Sequence, residues 1–332
     1  MTETAHTVPV AVPLSVPTTA QTATIVDPVP AERRPLGESG RRVFPVGLGS
    51  RTFGWTLDAG QAETILDTFH DAGGDLVDTA DSYAGGRSEI ILGNWMRSRR
   101  LRDRITVSTK VGAGADHPGV GARAITAAVH DSLRRLRTDR IDLLFLHVDD
   151  PEVDFEETLL AVDELILAGA VRGFGLTAHP GMRLIEARIA CAQLGVAPMV
   201  AVQPVYSLLR RRDHEQVTAR IAHAQRLAVL PRFALEGGVL AGLKASSRRS
   251  VRDRFTGRPA HQLLSVVEQV AEEVDGTMAT VALAWLLTRP DVVAPIATAA
   301  TADEVLDLVA AARVRLTRRQ LAELDRASSP FA

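Results

Sequence analysis

Tyrosine and lysine are scarce in this 332-residue chain, with two of each: Tyr83 and Tyr206, Lys110 and Lys244. Tyr83 and Lys110 lie in one stretch, GDLVDTADSYAGGRSEIILGNWMRSRRLRDRITVSTK, together with Asp78. A tyrosine with a pKa of about 10 is a poor proton donor near neutrality. An adjacent ammonium favours its phenolate, and a carboxylate can hold that ammonium in place. A nearby histidine can hydrogen-bond a substrate oxygen and orient it. Asp78, Tyr83, Lys110 and, further on, His147 supply those parts.

The positions of these residues carry as much weight as their types. Asp78 ends the apolar run Leu76-Val77, Lys110 ends the run from Ile105 to Thr109, and His147 ends the run from Ile141 to Leu146, while Tyr83 sits in the glycine-rich loop after Asp78. Three successive candidate strands thus deliver an ionisable group at the C-terminal end, where an α/β barrel builds its active site. Taken singly, each has an ordinary explanation: an aspartate as a turn residue, a lysine as solvated charge, a histidine as a structural group and a tyrosine as a loop wall. Their joint placement on consecutive strands is what points to catalysis.

The rest of the chain supplies the elements such a site needs. Apolar segments at 46–49, 76–78, 105–110, 141–147, 171–177, 200–204, 228–233 and 293–296 read as strands. Helical periodicity at 61–72, 89–97, 122–136, 156–167, 183–194, 215–226, 281–288 and 302–312 alternates with them. That count predicts a (β/α)8 TIM barrel; a doubly wound sheet would call for a GxGxxG turn after its first strand, and there is none. A hairpin around Gly37 and Gly40 precedes the first strand. An extra helix follows at 317–327, with Thr317 as its N-cap. Residues 236–262 read as one long Gly/Ser/Arg-rich connection after strand 7. The proline-rich residues 1–33 read as a disordered tail, leaving 34–332 as a single barrel domain.

Composition narrows the class. Hydrophobic residues make up 46% and charged residues 23%, as in soluble globular proteins. The net charge of −2 is dispersed along the chain, which argues against nucleic-acid or membrane-surface binding. The single cysteine, Cys191, excludes an internal disulfide or a CxxC metal site. With no signal-like leader and no apolar span, a cytoplasmic protein is expected. The preference for arginine over lysine suits a GC-rich bacterial genome. Oligomeric state is left open.

GLGSRTFGW, DTADSYAGGRSEIILGNW, STK and LFLH, in this order, resemble the motif series of the aldo-keto reductase superfamily, and the resemblance covers nearly everything after Arg34. It implies a catalytic tetrad of Asp78, Tyr83, Lys110 and His147. VQPVYSLLRR resembles the strand-6 motif, implying nicotinamide contacts from Gln203 and Tyr206, with Thr177 beside the carboxamide. LEGGVLAG resembles the strand-7 loop that covers the cofactor pyrophosphate, implying Leu235, Gly237, Gly238 and Leu240. Thr301 and Glu304 fall where the family holds the adenosine end. The implied cofactor is NADP(H), with NAD(H) as the alternative, and the implied partner is a small-molecule carbonyl substrate, such as a keto sugar or natural-product intermediate. Trp55 and the region of His117 would wall its pocket, with Arg51, Arg87 and the arginines at 248, 249, 252 and 254 available to a phosphate.

Two departures bear on the cofactor. Strand 5 ends Thr177-Ala178-His179 where the family commonly has Ser-Asn, and the segment after strand 8 reads Thr298-Ala299-Ala300-Thr301, with Leu308 in the helix beyond. No Arg or Lys lies between Pro295 and Arg313. A second function therefore stands beside the reductase: a barrel of this family with weak or no cofactor use, serving as a binding protein or in non-redox acid–base chemistry.

Overall fold

A computed structural model describes residues 31–242 and 255–332. A two-stranded antiparallel hairpin, β1 (Arg34–Pro35) and β2 (Arg42–Val43), comes first. Eight short parallel strands follow: β3 (Gly47–Gly49), β4 (Leu76–Asp78), β5 (Thr106–Val111), β6 (Leu143–Leu146), β7 (Phe174–Thr177), β8 (Ala201–Gln203), β9 (Ala228–Val229) and β10 (Ile296–Ala297). Their order is β10-β3-β4-β5-β6-β7-β8-β9. The ring is closed by backbone bonds between the ends of that series. Val229 N donates to Asp291 O (2.9 Å), Val293 N to Val229 O (2.9 Å) and Ile296 N to Pro231 O (2.8 Å). The protein is a (β/α)8 barrel, as the alternation of segments predicts.

The helices form because each carries an apolar stripe and, in several cases, a cap. In α1 (Ala59–Asp71), Ala62, Ile65, Leu66 and Phe69 fall on one buried face. Its N-cap Asp58 accepts from Gln61 N while the Gln61 side chain accepts from Asp58 N, so two otherwise unpaired donors are satisfied reciprocally. Around the barrel follow α2 (Arg87–Arg99), α3 (Ala122–Leu136), α4 (Phe155–Leu167), α5 (Gly181–Leu194) and α6 (Ala219–Gln225). α7 (Arg258–Glu273), α8 (Met278–Leu287) and α9 (Ala302–Ala310) complete the ring, and α10 (Arg318–Ser328) is the expected extra helix, with Thr317 and Gln320 forming a second capping box.

The hairpin plugs the N-terminal end of the barrel. Leu36 and Val43 are fully buried in a cluster with the interior residues Leu76, Leu143, Phe145, Leu230 and Ile296. Around this floor, the fully buried Asp142 is matched by three arginines: Arg102 (2.9 Å), Arg41 (3.3 Å) and Arg172 (3.4 Å). Asp75 accepts from Phe44 N (2.7 Å) and pairs with Arg33. These carboxylates sit on the side opposite the candidate site and serve the fold.

The expected long connection at 236–262 is corrected at both ends. A tight turn occupies Glu236–Ala241, and α7 begins at Arg258. α7 buries Ala260, Leu263, Val267, Val270 and Ala271, and burying each large apolar side chain is worth roughly 1.5–3 kcal/mol. The intervening residues, including Lys244 and the arginines at 248, 249, 252 and 254, lie outside the described residues, as do residues 1–30 of the expected tail.

α2 and α3 cross at Gly93, where an added Cβ would lie 2.5 Å from the Leu136 carbonyl carbon and 2.6 Å from the Arg135 carbonyl oxygen. Both are backbone atoms and cannot rotate away. Gly93→Ala is expected to lower the unfolding free energy by about 1–3 kcal/mol in urea denaturation; a stability equal to the parent would show that the two helices do not approach this closely.

Candidate active site

The site begins where β4 and β5 end. Their register pairs Asp78 with Ser108, so Lys110 extends beyond the carboxylate on the neighbouring strand. Asp78 Oδ2 accepts from Lys110 Nζ (2.5 Å), and Oδ1 accepts from Ser108 Oγ (2.9 Å) and Gln203 Nε2 (3.0 Å). Lys110 Nζ also donates to Thr79 O (2.9 Å). Lys110 is 1% exposed and Asp78 3%. Burial alone would lower the Lys110 pKa, but the Asp78 carboxylate, followed by Tyr83, outweighs it and holds the ammonium above its ordinary value.

Tyr83 is delivered by the loop after β4. Its backbone N donates to Ala80 O (3.1 Å), and the next three residues, Ala84, Gly85 and Gly86, all take positive φ (52°, 64° and 81°). That run turns the chain sharply into α2, whose N-cap is Gly86. A Cβ at Gly86 would lie 2.7 Å from Arg135 Cδ, so glycine answers both a conformational and a steric need. Arg135 is in turn held by the fully buried Glu89 (2.7 Å), which also accepts from Thr109 Oγ1 (2.7 Å). The loop, α2, α3 and β5 are thereby tied together directly behind the tetrad. Asp81 contributes a further tether, accepting from Gly112 N (3.2 Å); burial pushes its carboxyl up to about 6.

Lys110 Nζ lies 5.2 Å from the centroid of the Tyr83 ring. On the other side, the His147 ring meets Tyr83 edge to face, with centroids 6.4 Å apart and planes at 79°. Burial, and after it the Lys110 charge, lowers the His147 pKa to about 4, so its imidazole is neutral at pH 7. His147 Nδ1 is buried without a hydrogen-bond partner. All four tetrad residues are thus brought together.

The residues expected around a cofactor divide into two groups. Thr177 and Gln203 are adjacent on β7 and β8, and Thr177 Oγ1 donates to Gln203 O (2.9 Å). Gln203 Oε1 is buried and unpartnered, while Nε2 of the same side chain donates to Asp78. Ala178 takes φ +62°, a backbone state unfavourable for alanine and better suited to asparagine or glycine. Leu235 begins a turn in which Glu236, Gly237 and Gly238 all have positive φ. Glu236, fully buried, fixes this turn by accepting from Ser207 Oγ (3.0 Å) and pairing with Arg210 (3.1 Å).

Tyr206 is different. It is 1% exposed, its ring is packed against His214 (centroids 4.2 Å apart) and Trp285 (5.6 Å), and its hydroxyl donates to Glu215 (2.8 Å). The expectation that a nicotinamide stacks on it is corrected, because no ring face is open; Tyr206 is a core residue. Leu240 is likewise fully buried. His117 is held by Asp131 of α3 (3.2 Å), while Trp55 is 56% exposed. Thr301 caps α9 by accepting from Glu304 N (3.2 Å), and Glu304 folds back to accept from Ala300 N (2.6 Å).

Arg232 escapes a sequence reading because a single arginine in an arginine-rich chain looks like surface charge, whereas Arg51 is among the arginines already available to a phosphate. The structure places both near the tetrad, close enough that their charges help to depress the His147 pKa after the larger effects of burial and Lys110. Among the described residues no group of three or more His, Cys, Asp or Glu side chains could hold a metal. None of their helices is long and apolar enough to cross a membrane.

The chain matches the Aldo/keto reductase family over residues 45–329 and belongs to it. It is an oxidoreductase. AAD14 of Saccharomyces cerevisiae, named for aryl-alcohol dehydrogenase, is 30% identical over 316 residues, which cover 86% of this chain and 84% of the relative. The norsolorinic acid reductase stcV of Emericella nidulans is 28% identical over 305 residues (86% and 79%). The norsolorinic acid reductase of Aspergillus flavus is 26% identical over 310 residues (88% and 79%). These relatives are fungal, and none of them bears on the bacterial source expected from the arginine bias.

A direct check on the site's electrostatics is available. The His147 pKa lies below the unfolded value of about 6.5, so the unfolded chain takes up this proton first, and the His147 contribution to stability rises with pH between about 4 and 6.5. His147 ring signals followed by NMR should titrate with a midpoint near 4. An unshifted midpoint would refute a buried, neutral imidazole beside Lys110.

Proposed function

We propose that the chain is a carbonyl reductase that uses a reduced nicotinamide dinucleotide, with Tyr83 as its proton donor. The observation that carries this is the buried Lys110–Asp78 pair beside Tyr83, with a neutral His147 on the far side. When bound, the reduced nicotinamide supplies the hydride that the carbonyl carbon accepts. The Tyr83 hydroxyl gives its proton to the carbonyl oxygen, completing the alcohol. Lys110 stabilises the negative charge left on the Tyr83 oxygen, and Asp78 keeps Lys110 in place. His147, being neutral, donates a hydrogen bond to the carbonyl oxygen and aligns it. The unpartnered Gln203 Oε1 suits a carboxamide N–H, and Thr177 positions Gln203. The backbone of Leu235, Gly237 and Gly238 would cover the diphosphate, while Thr301 and Glu304 would meet the adenosine end. Trp55, exposed at the mouth, would line the substrate pocket, with the loop bearing His117 nearby.

The names of the relatives support an aromatic carbonyl compound of secondary metabolism as the substrate class. Tyr83→Phe should reduce turnover of aromatic aldehydes at least about a hundredfold, the ordinary size of a general-acid contribution, and leave dinucleotide affinity near the parent value. Turnover that survives the substitution would remove Tyr83 from the acid role.

The α9 N-terminus favours NADH over NADPH. Asp303, Glu304 and Asp307 stand together there, and burial, then the Glu304 and Asp303 charges, raise the Asp307 pKa. A carboxylate already occupies the Ala300 N–H. A 2′-phosphate would meet that negative field without a cation among the described residues of the segment. Fluorescence titration should therefore give an NADH dissociation constant no weaker than that for NADPH. Glu304→Lys should shift the preference towards NADPH by about tenfold, or ~1.4 kcal/mol. A parent protein favouring NADPH more than tenfold would overturn this preference.

A further inference from the structure

Arg232 is anomalous among the protein's sheltered arginines. Arg102 and Arg41 are matched by Asp142, Arg135 by Glu89, and Arg34 by the carbonyls of Leu287 and Val292. Arg232 is half-buried, yet among the described residues its side chain has no ion pair, and its Nε is buried without an acceptor. The nearest buried carboxylates are committed elsewhere. Glu236 is engaged by Arg210 and Ser207, and Asp78 by Lys110, Ser108 and Gln203. A buried guanidinium N–H without an acceptor is costly, and an oxygen of a bound ligand would relieve that cost.

Its position says which ligand. Arg232 lies just beyond β9 at the C-terminal end of the barrel, and its backbone is fixed by pairing with the end of β8: Arg232 N donates to Pro204 O (2.8 Å) and Tyr206 N to Arg232 O (3.3 Å). Gln203, which contacts Asp78, is the residue before Pro204. Tyr83, Arg210, Asp78, Arg51 and His147 are among the charged or titratable groups that interact with Arg232. The Phe233 ring packs under its guanidinium (5.2 Å to the centroid), with Arg210 on the same ring (5.6 Å). Arg51, from the loop after β3, is exposed and has no carboxylate partner among the described residues.

We propose that Arg232, assisted by Arg51, is an anion-recognition pair at the catalytic pocket, and that the preferred substrates are carbonyl compounds carrying an oxyanion such as a carboxylate. This rests on the carbonyl-reductase reading above. Guanidinium groups hold carboxylates through paired N–H donors, so a bound acid would be fixed in orientation as well as attracted. The dinucleotide diphosphate is the other source of the same oxyanion chemistry.

The test compares 4-formylbenzoate with its neutral methyl ester. The parent should show a kcat/KM ratio for acid over ester of at least about tenfold, falling as salt is raised. Arg232→Gln should bring that ratio close to one, Arg51→Gln should lower it partly, and Arg232→Lys should retain more of it than Arg232→Gln. Parent enzyme that reduces both compounds equally well overturns the inference and leaves the reductase reading intact. An unchanged ratio in Arg232→Gln, with NADH binding weakened about tenfold, assigns the anion to the dinucleotide and overturns the substrate assignment. If neither aldehyde is reduced, it is the reductase reading that fails for this substrate class. Calorimetric binding of benzoate then decides the inference: binding that Arg232→Gln abolishes supports it, and absent or unaffected binding overturns it.

Discussion

A lysine ammonium and an aspartate carboxylate, both almost fully withdrawn from water, set the terms for everything around them. Removing two charges from solvent costs several kcal/mol per ion, and mutual attraction repays this only when every remaining donor and acceptor is also satisfied. The neighbours of Lys110 and Asp78 meet that condition. Ser108 and Gln203 complete the carboxylate, and the Thr79 carbonyl takes another ammonium proton. These partners come from β4, β5 and β8, so satisfying one ion pair requires strands from across the barrel to be in register. Tyr83 then needs only to be set beside a charge that is already fixed.

Much of this was legible from residue type and position. Strand ends that deliver Asp78, Lys110 and His147 follow directly from short apolar runs terminated by a polar group, and the strand count defined the barrel. The α7 helix was less visible because a Gly/Ser/Arg-rich run precedes it, although Leu263, Val267 and Val270 already show helical spacing. Tyr206 could not be placed from sequence. Its burial depends on His214 and Trp285, which arrive from different elements and close over its ring. Arg232 failed for the opposite reason: its type is abundant, and only tertiary structure distinguishes a sheltered guanidinium from a solvated one.

The two ends of the barrel use arginine differently. At the N-terminal end, Arg41, Arg102 and Arg172 each reach Asp142 and Arg33 reaches Asp75, so every one of these arginines has a carboxylate partner. At the C-terminal end, Asp78 is committed to Lys110 and Glu236 to Arg210, while among the described residues Arg232 and Arg51 have no ion pair. Saturated charge holds a fold together, whereas unsaturated charge is available to a ligand. The same residue type is therefore matched at one rim and left unmatched at the other.

The way the ring closes has a consequence for how the molecule breathes. β9 and β10 are the shortest strands of the barrel, two residues each, and the sheet joins there through a few backbone bonds between 229–231 and 291–296. Local opening follows the line of fewest cooperative contacts, so this seam is where the cylinder should unzip first. Both segments that would clasp a dinucleotide, the turn at Glu236–Ala241 and the start of α9, hang from the two lips of that seam. A ligand bridging them acts as a staple: by mass action its binding energy is added to the closure of the barrel. Amide exchange at Val229 and Val293 would then report occupancy from the floor of the fold.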